Sequence, residues 1–354
     1  MIKRQKKLKK IITISILFLI IPFFSNAQFY NKKNFKSQRH EISFGIGGSS
    51  CLTDLGGGSS EAKAFLLDMD IQSTSFLTNF SYLYYLKNDI SLRACLTYAK
   101  ISGDDALSGD KFRANRALNF NTTIIELGGL IEYTLIKEKS GNKFGLKNSS
   151  GIFGALKNPI QFGVYLFAGI GGFYYDPWGT NNFLNSNGDI VGDGEKYRLR
   201  ELHTEGQGFE GGPGQFNEAN TGKRGSTYKK FAVCIPLGFG IKKSFSNTFG
   251  INLEASYRFT NTDYLDDVSS NYYDRDKLKT EITILYGEDV GNDAYIMSGT
   301  ETGAGTNPGE KRGNPNSNDS YMFLTISVYK KLNNSQKFFK SRGAGSSRKL
   351  RSSF

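Results

Sequence analysis

The sequence predicts an all-β chain, a transmembrane antiparallel up-and-down β-barrel of about eight strands with long extracellular loops. Three observations predict it. Only 38% of residues are hydrophobic, yet the chain has 28 Phe, 19 Tyr and 41 Gly, the mix required by aromatic girdles, one lipid-facing strand parity and many turns. Eight segments alternate with a period of two, one parity of each being free of charge. The connections between them alternate between long and short, except for one.

The chain opens with Lys3, Arg4, Lys6, Lys7, Lys9 and Lys10, followed by an apolar run from Ile11 to Phe24 and the small residues of Ser25-Asn26-Ala27. This is the pattern of a signal peptide cleaved between Ala27 and Gln28. The competing reading is a membrane anchor, but the run falls short of the roughly 20 residues a helix needs to span a bilayer. No cysteine lies near the cleavage point, which argues against a lipoprotein. No later stretch is long and apolar enough for a spanning helix, so a membrane-embedded mature chain must cross with strands. The three cysteines, Cys51, Cys95 and Cys234, are too few for a disulfide-built extracellular module. Cys95 and Cys234 fall on inward parities of strands that are not neighbours and read as small core hydrophobes.

Two segments show the alternation most plainly. Phe249, Ile251, Leu253, Ala255, Tyr257 and Phe259 interleave with Gly250, Asn252, Glu254, Ser256 and Arg258; Ile90, Leu92, Ala94, Leu96 and Tyr98 interleave with Ser91, Arg93, Cys95 and Thr97. The other strands are expected at 41–47, 78–86, 122–135, 160–174, 230–242 and 320–330, with outward residues such as Phe44, Phe80, Leu127, Leu166, Ile235 and Leu324. Pro236 is awkward, because a closed barrel has no edge for a residue without an N–H, and a local bulge is expected there.

The first, third, fifth and seventh connections run to about 20–60 residues while the second and sixth are a few residues, as expected when external loops are long and periplasmic turns short. The fourth, from about 136 to 159, breaks the rule. The expected organisation is a signal peptide at 1–27, a periplasmic N-terminal segment at 28–40, the barrel at 41–332 and a basic, disordered periplasmic tail at 333–354. The long loops sum to net acidic charge. The residues placed on the other side are basic: 28–40 has four basic residues and no acid, 137–158 has five lysines against Glu138, and 330–354 has eight basic residues and no acid.

An eight-strand interior is just wide enough for side chains to fill. Inward glycines (Gly45, Gly47, Gly128, Gly163, Gly169, Gly171, Gly238, Gly240) stand against Tyr165, Phe167, Tyr321, Phe323 and Tyr329, which disfavours a diffusion pore. The inward lumen charges Arg93, Glu126, Glu132, Glu254 and Arg258 nearly balance. They read as an ion-pair plug, with a proton or ion path as the sharper alternative.

Four segments, Gly47-Gly48 through Asp54-Leu55-Gly56, Ile101 to Ser108 (ISGDDALS), Thr204 to Gly208 (TEGQG) and Thr262 to Ser269 (TDYLDDVS), resemble in order and spacing the PorG-like outer-membrane barrels of Bacteroidota. The resemblance covers roughly residues 40 to 331; the tail after Leu332 is not part of it. The family is largely of unknown function and includes a component of the type IX secretion machinery. The resemblance implies an integral outer-membrane barrel with both termini in the periplasm, associated with a periplasmic ring of that machinery.

The expected function is therefore non-enzymatic and structural or anchoring, with outer-membrane lipid and an acidic periplasmic protein as partners; the competing class is a surface-recognition barrel whose long loops bind a ligand. Nucleic acid is not an expected partner. A lipid-modifying enzyme would need a histidine beside a carboxylate or serine at the outer rim, and only His40 and His203 exist. His40 precedes the first strand on the wrong side, and His203 reads as a loop-packing residue, so no catalytic residue is expected. No cofactor motif is present. Weak calcium candidates are Asp263, Asp266 and Asp267, with a second oxygen-rich cluster at Asn187, Asp189, Asp193 and Glu195; neither has EF-hand spacing.

Overall fold

A computed structural model describes residues 38–55, 73–107, 116, 118–138, 162–182, 192–213, 227–246, 248–299 and 306–332. The expected signal peptide with its Ala27/Gln28 cleavage point, most of the fourth connection and the basic tail lie outside the described residues. The strands are β1 (His40–Leu52), β2 (Ser75–Tyr85), β3 (Ile90–Asp104), β4 (Asn119–Ile136), β5 (Gly163–Thr180), β6 (Lys196–Arg198), β7 (Phe231–Ser244), β8 (Phe249–Thr260) and β9 (Ser320–Leu332). Each pairs antiparallel with its neighbours. β1 pairs with β9 from His40↔Leu332 to Leu52↔Ser320, and the β4–β5 pairing completes the ring. The chain is a closed eight-strand antiparallel barrel, with β6 an accessory strand paired to the far end of β5.

The expected parity is the observed one. Leu127 (67% exposed), Ile170 (63%), Phe44, Phe80, Leu166, Ile235, Leu253 and Leu324 all point outward and are exposed. A continuous apolar belt around a barrel with a charged interior is the inverse of a water-soluble core, and it places this surface in lipid. β4 and β5, at 18 residues each, exceed the 9–11 a tilted strand needs to cross. Their upper ends, polar outward at Asn121 and Thr123 on β4, carry the wall above the belt to support the long loops.

Two sequence expectations are corrected. Pro236 makes no bulge: the β7–β8 pairing runs unbroken through Pro236↔Arg258. On the other side the β5–β7 ladder lapses between Ala168↔Leu237 and Gly171↔Cys234 with its alignment kept. The missing N–H is absorbed by leaving two pairs unbonded rather than by inserting a residue. The irregularity of the barrel falls instead at Thr134/Ile136 on β4, where Leu135 and Ile136 are both exposed. Cys95 and Cys234 are buried and free as expected, but they are joined across the wall by a row of cross-strand partners, Cys95–Gly128–Gly171–Cys234. The two glycines leave the thiols room, since a Cβ at either would crowd a cysteine sulfur.

The interior is packed by aromatic rings laid over glycines. Tyr165 is opposite Gly240 and Phe167 opposite Gly238, and a Cβ at either glycine would run into the facing ring. Above this layer an apolar cluster formed by Leu77, Ile101, Phe120, Ile124, Phe173, Tyr175 and Tyr321 is joined by Leu55, Leu265, Val268, Leu278 and Ile282 from the long loops. The fourth long loop supplies a helical hairpin, α2 (Arg275–Tyr286) and α3 (Glu288–Met297), and the third supplies a single turn, α1 (Leu199–Leu202). Asp274 caps α2 by accepting from the Lys277 N–H. Gly287, with φ of 102°, allows the sharp turn into α3. No described helix is long and apolar enough to cross a membrane.

Candidate functional site

Strand parity brings all five expected lumen charges inside. Arg93 bonds Glu132 and reaches Glu254 at 2.6 Å. Glu254 also accepts from Tyr165 Oη and from Asn252 Nδ2 (2.7 Å). Arg258 Nε donates to Glu126 at 3.0 Å, and Tyr321 Oη to the same carboxylate at 2.8 Å. The guanidinium of Arg258 lies 3.9 Å over the Phe323 ring, a favourable desolvated cation–π geometry. Two further members were missed in the sequence, although their parity places them inside: Glu41 and Lys242, paired at 2.9 Å, with Lys242 also 3.7 Å from Glu132. Tyr85 Oη donates to Glu41 at 2.6 Å. Every buried charge named here has an opposite charge and a further partner, a second ion, a hydrogen bond or a ring, the condition under which ionised groups are tolerated inside a protein. The interior is an ion-pair plug over packed rings.

At the short-turn end the side chain of Glu138, just past β4, meets side chains of β9. Lys331 Nζ and Tyr329 Oη both donate to Glu138. His40 bonds Tyr82 Oη and packs its ring against Tyr82 and Tyr84, so it serves the aromatic rim.

The long-loop end is where the four sequence segments that carry the family resemblance meet. Each loop is tied to another by a carboxylate or an arginine. Asp266 Oδ2 accepts from the Leu55 N–H at 2.9 Å and Asp266 Oδ1 from Val268 N–H at 3.0 Å. Asp54 accepts from the Asn314 N–H at 2.7 Å. Arg116 bonds the Asp105 carboxylate and donates to the carbonyls of Asp54 (2.9 Å) and Arg312 (2.8 Å). Glu205 accepts from the Ser269 N–H at 2.9 Å, the Ser270 N–H at 3.1 Å and Ser270 Oγ at 2.8 Å, and pairs with Arg312 at 3.2 Å. Asp267, in the left-handed region at φ of 65°, accepts from Thr204 Oγ1 and from Tyr228 Oη at 2.6 Å. Thr122 on β4 donates to the Leu265 carbonyl, which seats the turn 262–268 in the upper mouth of the barrel.

Asp266 and Asp267, two of the three calcium candidates, are engaged in this network as hydrogen-bond acceptors. Asp266 faces the first loop and Asp267 the third, so the carboxylates of Asp263, Asp266 and Asp267 do not converge on one point, and among the described residues no group of three His, Cys, Asp or Glu could hold a metal. Of the second cluster, Asn187 and Asp189 lie outside the described residues, and Asp193 accepts from Asn181 Nδ2 (2.8 Å) and Glu195 N–H (2.9 Å). His203 is a packing residue: it ends α1 at φ of 52°, donates from Nδ1 to the Gln207 carbonyl at 2.7 Å and stacks against Phe209 and Tyr286. Burial pushes its pKa below the usual imidazole value, so it is neutral at pH 7.

The carboxylates of the cap differ from those of the lumen. Burial raises Asp263 to about 7 and Asp267 to about 6. Burial and then the Asp54 charge raise Asp266 to about 8. Asp319, which accepts from the Leu265 N–H at 2.8 Å, is held well above the carboxylate range by burial and by the neighbouring Asp266 and Asp263.

No family model and no curated relative matches the chain. Solved structures with a similar arrangement include Neisserial surface protein A (7% identity, 84% of this chain and 99% of that one, TM-score 0.32). The attachment invasion locus protein Ail of Yersinia pestis, solved with the heparin analogue sucrose octasulfate, is 8% identical over 84% of this chain and 99% of its own (TM-score 0.32). The outer membrane protein OprG of Pseudomonas aeruginosa is 7% identical over 84% and 98% (TM-score 0.32). The chain is an integral outer-membrane-type β-barrel. That assignment rests on its own closed ladder and apolar belt.

Proposed function

We propose that this barrel is a non-enzymatic anchoring component of the outer membrane whose working contact is made at the short-turn end, through basic segments, with an acidic periplasmic protein. The observation that supports this reading is where those segments leave the barrel. His40 and Leu332 are cross-strand partners, so the residues before β1 and after β9 depart side by side. Lys331 is bonded to Glu138, the last described residue of the chain leaving β4, so the fourth connection begins within side-chain reach of β9. Three stretches with an excess of Lys and Arg thus start together, where clustered charge would speed and orient encounter with an acidic partner. In this reading that end is periplasmic, the long loops are extracellular and the signal peptide is removed before Gln28. The PorG-like resemblance makes a ring protein of type IX secretion the first partner to test.

Deleting 333–354, or replacing 140–158 by a short turn while keeping Glu138, is expected to leave a heat-modifiable barrel that no longer retains its partner in a salt-sensitive pull-down. Unchanged recovery of every periplasmic protein would sink the proposal. A second reading, surface recognition, is favoured by one observation: Ile284, Leu285 and Tyr286 are consecutive and exposed at the end of α2, in the helical hairpin of the fourth long loop. Loss of whole-cell ligand binding on replacing those three by Ser, with the periplasmic pull-down intact, would support it over the first.

A further inference from the structure

We propose that Asp54, Asp263, Asp266 and Asp319 form a proton-operated latch, which holds the turn 262–268 in the upper mouth of the barrel when protonated and loosens it when ionised. The geometry is that of a latch because these carboxylates fasten separate segments to one another. Asp266 ties the fourth loop to Leu55 of the first, Asp54 ties the first loop back to Asn314, and Asp319 ties the foot of β9 to Leu265. All three bonds go to backbone N–H groups. None of Asp263, Asp266 and Asp319 forms an ion pair among the described residues. Asp263 goes further: it is 8% exposed, and among the described residues neither of its oxygens has a hydrogen-bond partner. Ser269 stands near it but outside hydrogen-bond geometry.

The cations that could have neutralised the cluster are committed elsewhere. From the second loop Arg116 is taken by Asp105, and from the fourth Arg312 is taken by Glu205 of the third. Asp54 feels both Arg116 and Lys311 and is still displaced upward by burial. The remaining titratable neighbours are acids or phenols: Glu205 from the third loop with Tyr228 on Asp267, and Tyr264 and Tyr272 from the fourth. The barrel wall contributes to this turn the hydroxyl of Thr122 and another phenol, Tyr175 on β5, whose Oη bonds Thr262 Oγ1 at 3.0 Å beside Asp319 and Asp267.

Burying one unpaired ionised carboxylate costs several kcal/mol, and near neighbours of like charge cannot all ionise. The sign of the response follows. A carboxylate displaced upward stabilises the closed cap fully below the ordinary carboxylate pKa. The contribution is lost as pH rises to the displaced values of about 7 for Asp263 and about 8 for Asp266, and it is flat above them. Over that window the opening equilibrium gains about tenfold per pH unit for each carboxylate that ionises on opening. What opens is specific, because Leu265 and Val268 are fully buried members of the cluster that closes the mouth.

The test is amide hydrogen exchange of the full chain in detergent micelles at pH 5 and pH 8, corrected for intrinsic exchange. Protection of 53–55 and 262–269 is expected to fall more than about tenfold between the two, with β8 residues 250–258 unchanged. The double variant Asp263→Asn, Asp319→Asn is expected to lose only part of its pH 5 protection at pH 8, because Asp54 and Asp266 still titrate. A flat profile in the natural chain, or the full fall in a variant whose β8 protection is native, would overturn the latch. Should the double variant fail to form a heat-modifiable barrel, Asp263→Asn alone decides. Its carboxylate holds no hydrogen bond, so the variant is expected to fold with a shallower pH slope, and an unaltered slope would overturn the latch equally.

Discussion

In the barrel interior Glu126, Glu132 and Glu254 each face a guanidinium, whereas in the loop cap Asp263, Asp266 and Asp319 face backbone N–H groups or nothing. The two regions are joined by one apolar cluster, yet they bury acid in opposite ways. Paired charges in the lumen are fixed, because separating them would leave an ion in a medium that cannot solvate it. Unlike the arginine-paired Asp105 and Glu205 of the same cap, Asp266 and Asp319 bind through hydrogen bonds that a neutral acid can also make, and their charge is free to change with conditions. The difference assigns rigidity to the membrane-spanning part and adjustability to the cap.

The comparison breaks most directly at Arg93. Arg93→Met leaves Glu254 without its cation and Glu132 with only the more distant Lys242, and is expected to cost about 3–5 kcal/mol, read as a lower urea midpoint for unfolding in micelles. A loss under about 1 kcal/mol would mean that water reaches the lumen charges and that the paired and unpaired regions do not differ in kind. Glu205→Ala should be the largest single lesion in the cap, about 2–4 kcal/mol, because Arg312 loses its carboxylate and the Ser269 and Ser270 N–H groups lose their acceptor. Protease nicking within 199–213 should rise while the barrel remains heat-modifiable. Concerted unfolding of cap and barrel would show that they are one unit.

Gly240→Ala sharpens the packing side. The new methyl meets the Tyr165 ring and should lower barrel stability by about 1–3 kcal/mol, measured by the same urea series. The outward Gly129, where a Cβ meets nothing within 4 Å, should accept Ala with little change. The smallest effect is expected at His203. Its depressed pKa means that its contribution is present above the ordinary imidazole value and is lost as pH falls below it. The third loop should thus loosen in acid while the turn 262–268 tightens. His203→Gln should cost about 1 kcal/mol or less and remove the acid limb of exchange at 199–209. Persistence of that limb would place the responsible proton elsewhere.

Period-two alternation carried the fold because each barrel strand needs only its own residues to declare which face meets lipid. All eight were legible, as were the lumen charges that lay on recognisable inward parities. Glu41 and Lys242 lay inside the expected strands but escaped because each is the terminal residue of its expected segment, where the apolar alternation had faded. Pro236 misled because losing two ladder bonds proved easier than adding a residue. The cap was not legible in its partnerships. Asp54 and Asn314 are 260 positions apart, and no local period links them. The TDYLDDVS segment offered three aspartates without saying whether their oxygens would gather on a metal or disperse to separate amides. Arg116, Arg312 and Asp319, which decide that outcome, lie outside the four segments singled out in the sequence.

The rings laid over glycines on β5 and β7 also bear on how the wall finds its alignment as it closes. Sliding β7 by one residue would turn its apolar face inward, an error that lipid itself rejects. Sliding it by two keeps the faces correct and would pass that filter. A two-residue slide, however, sets Phe167 against Pro236 in one direction and Tyr165 against Lys242 in the other, since only Gly238 and Gly240 leave space beneath the two rings. The seam where hydrogen bonding lapses beside Pro236 is therefore keyed by side-chain volume: two teeth and two notches admit one setting, and the ladder bonds that remain need only hold it.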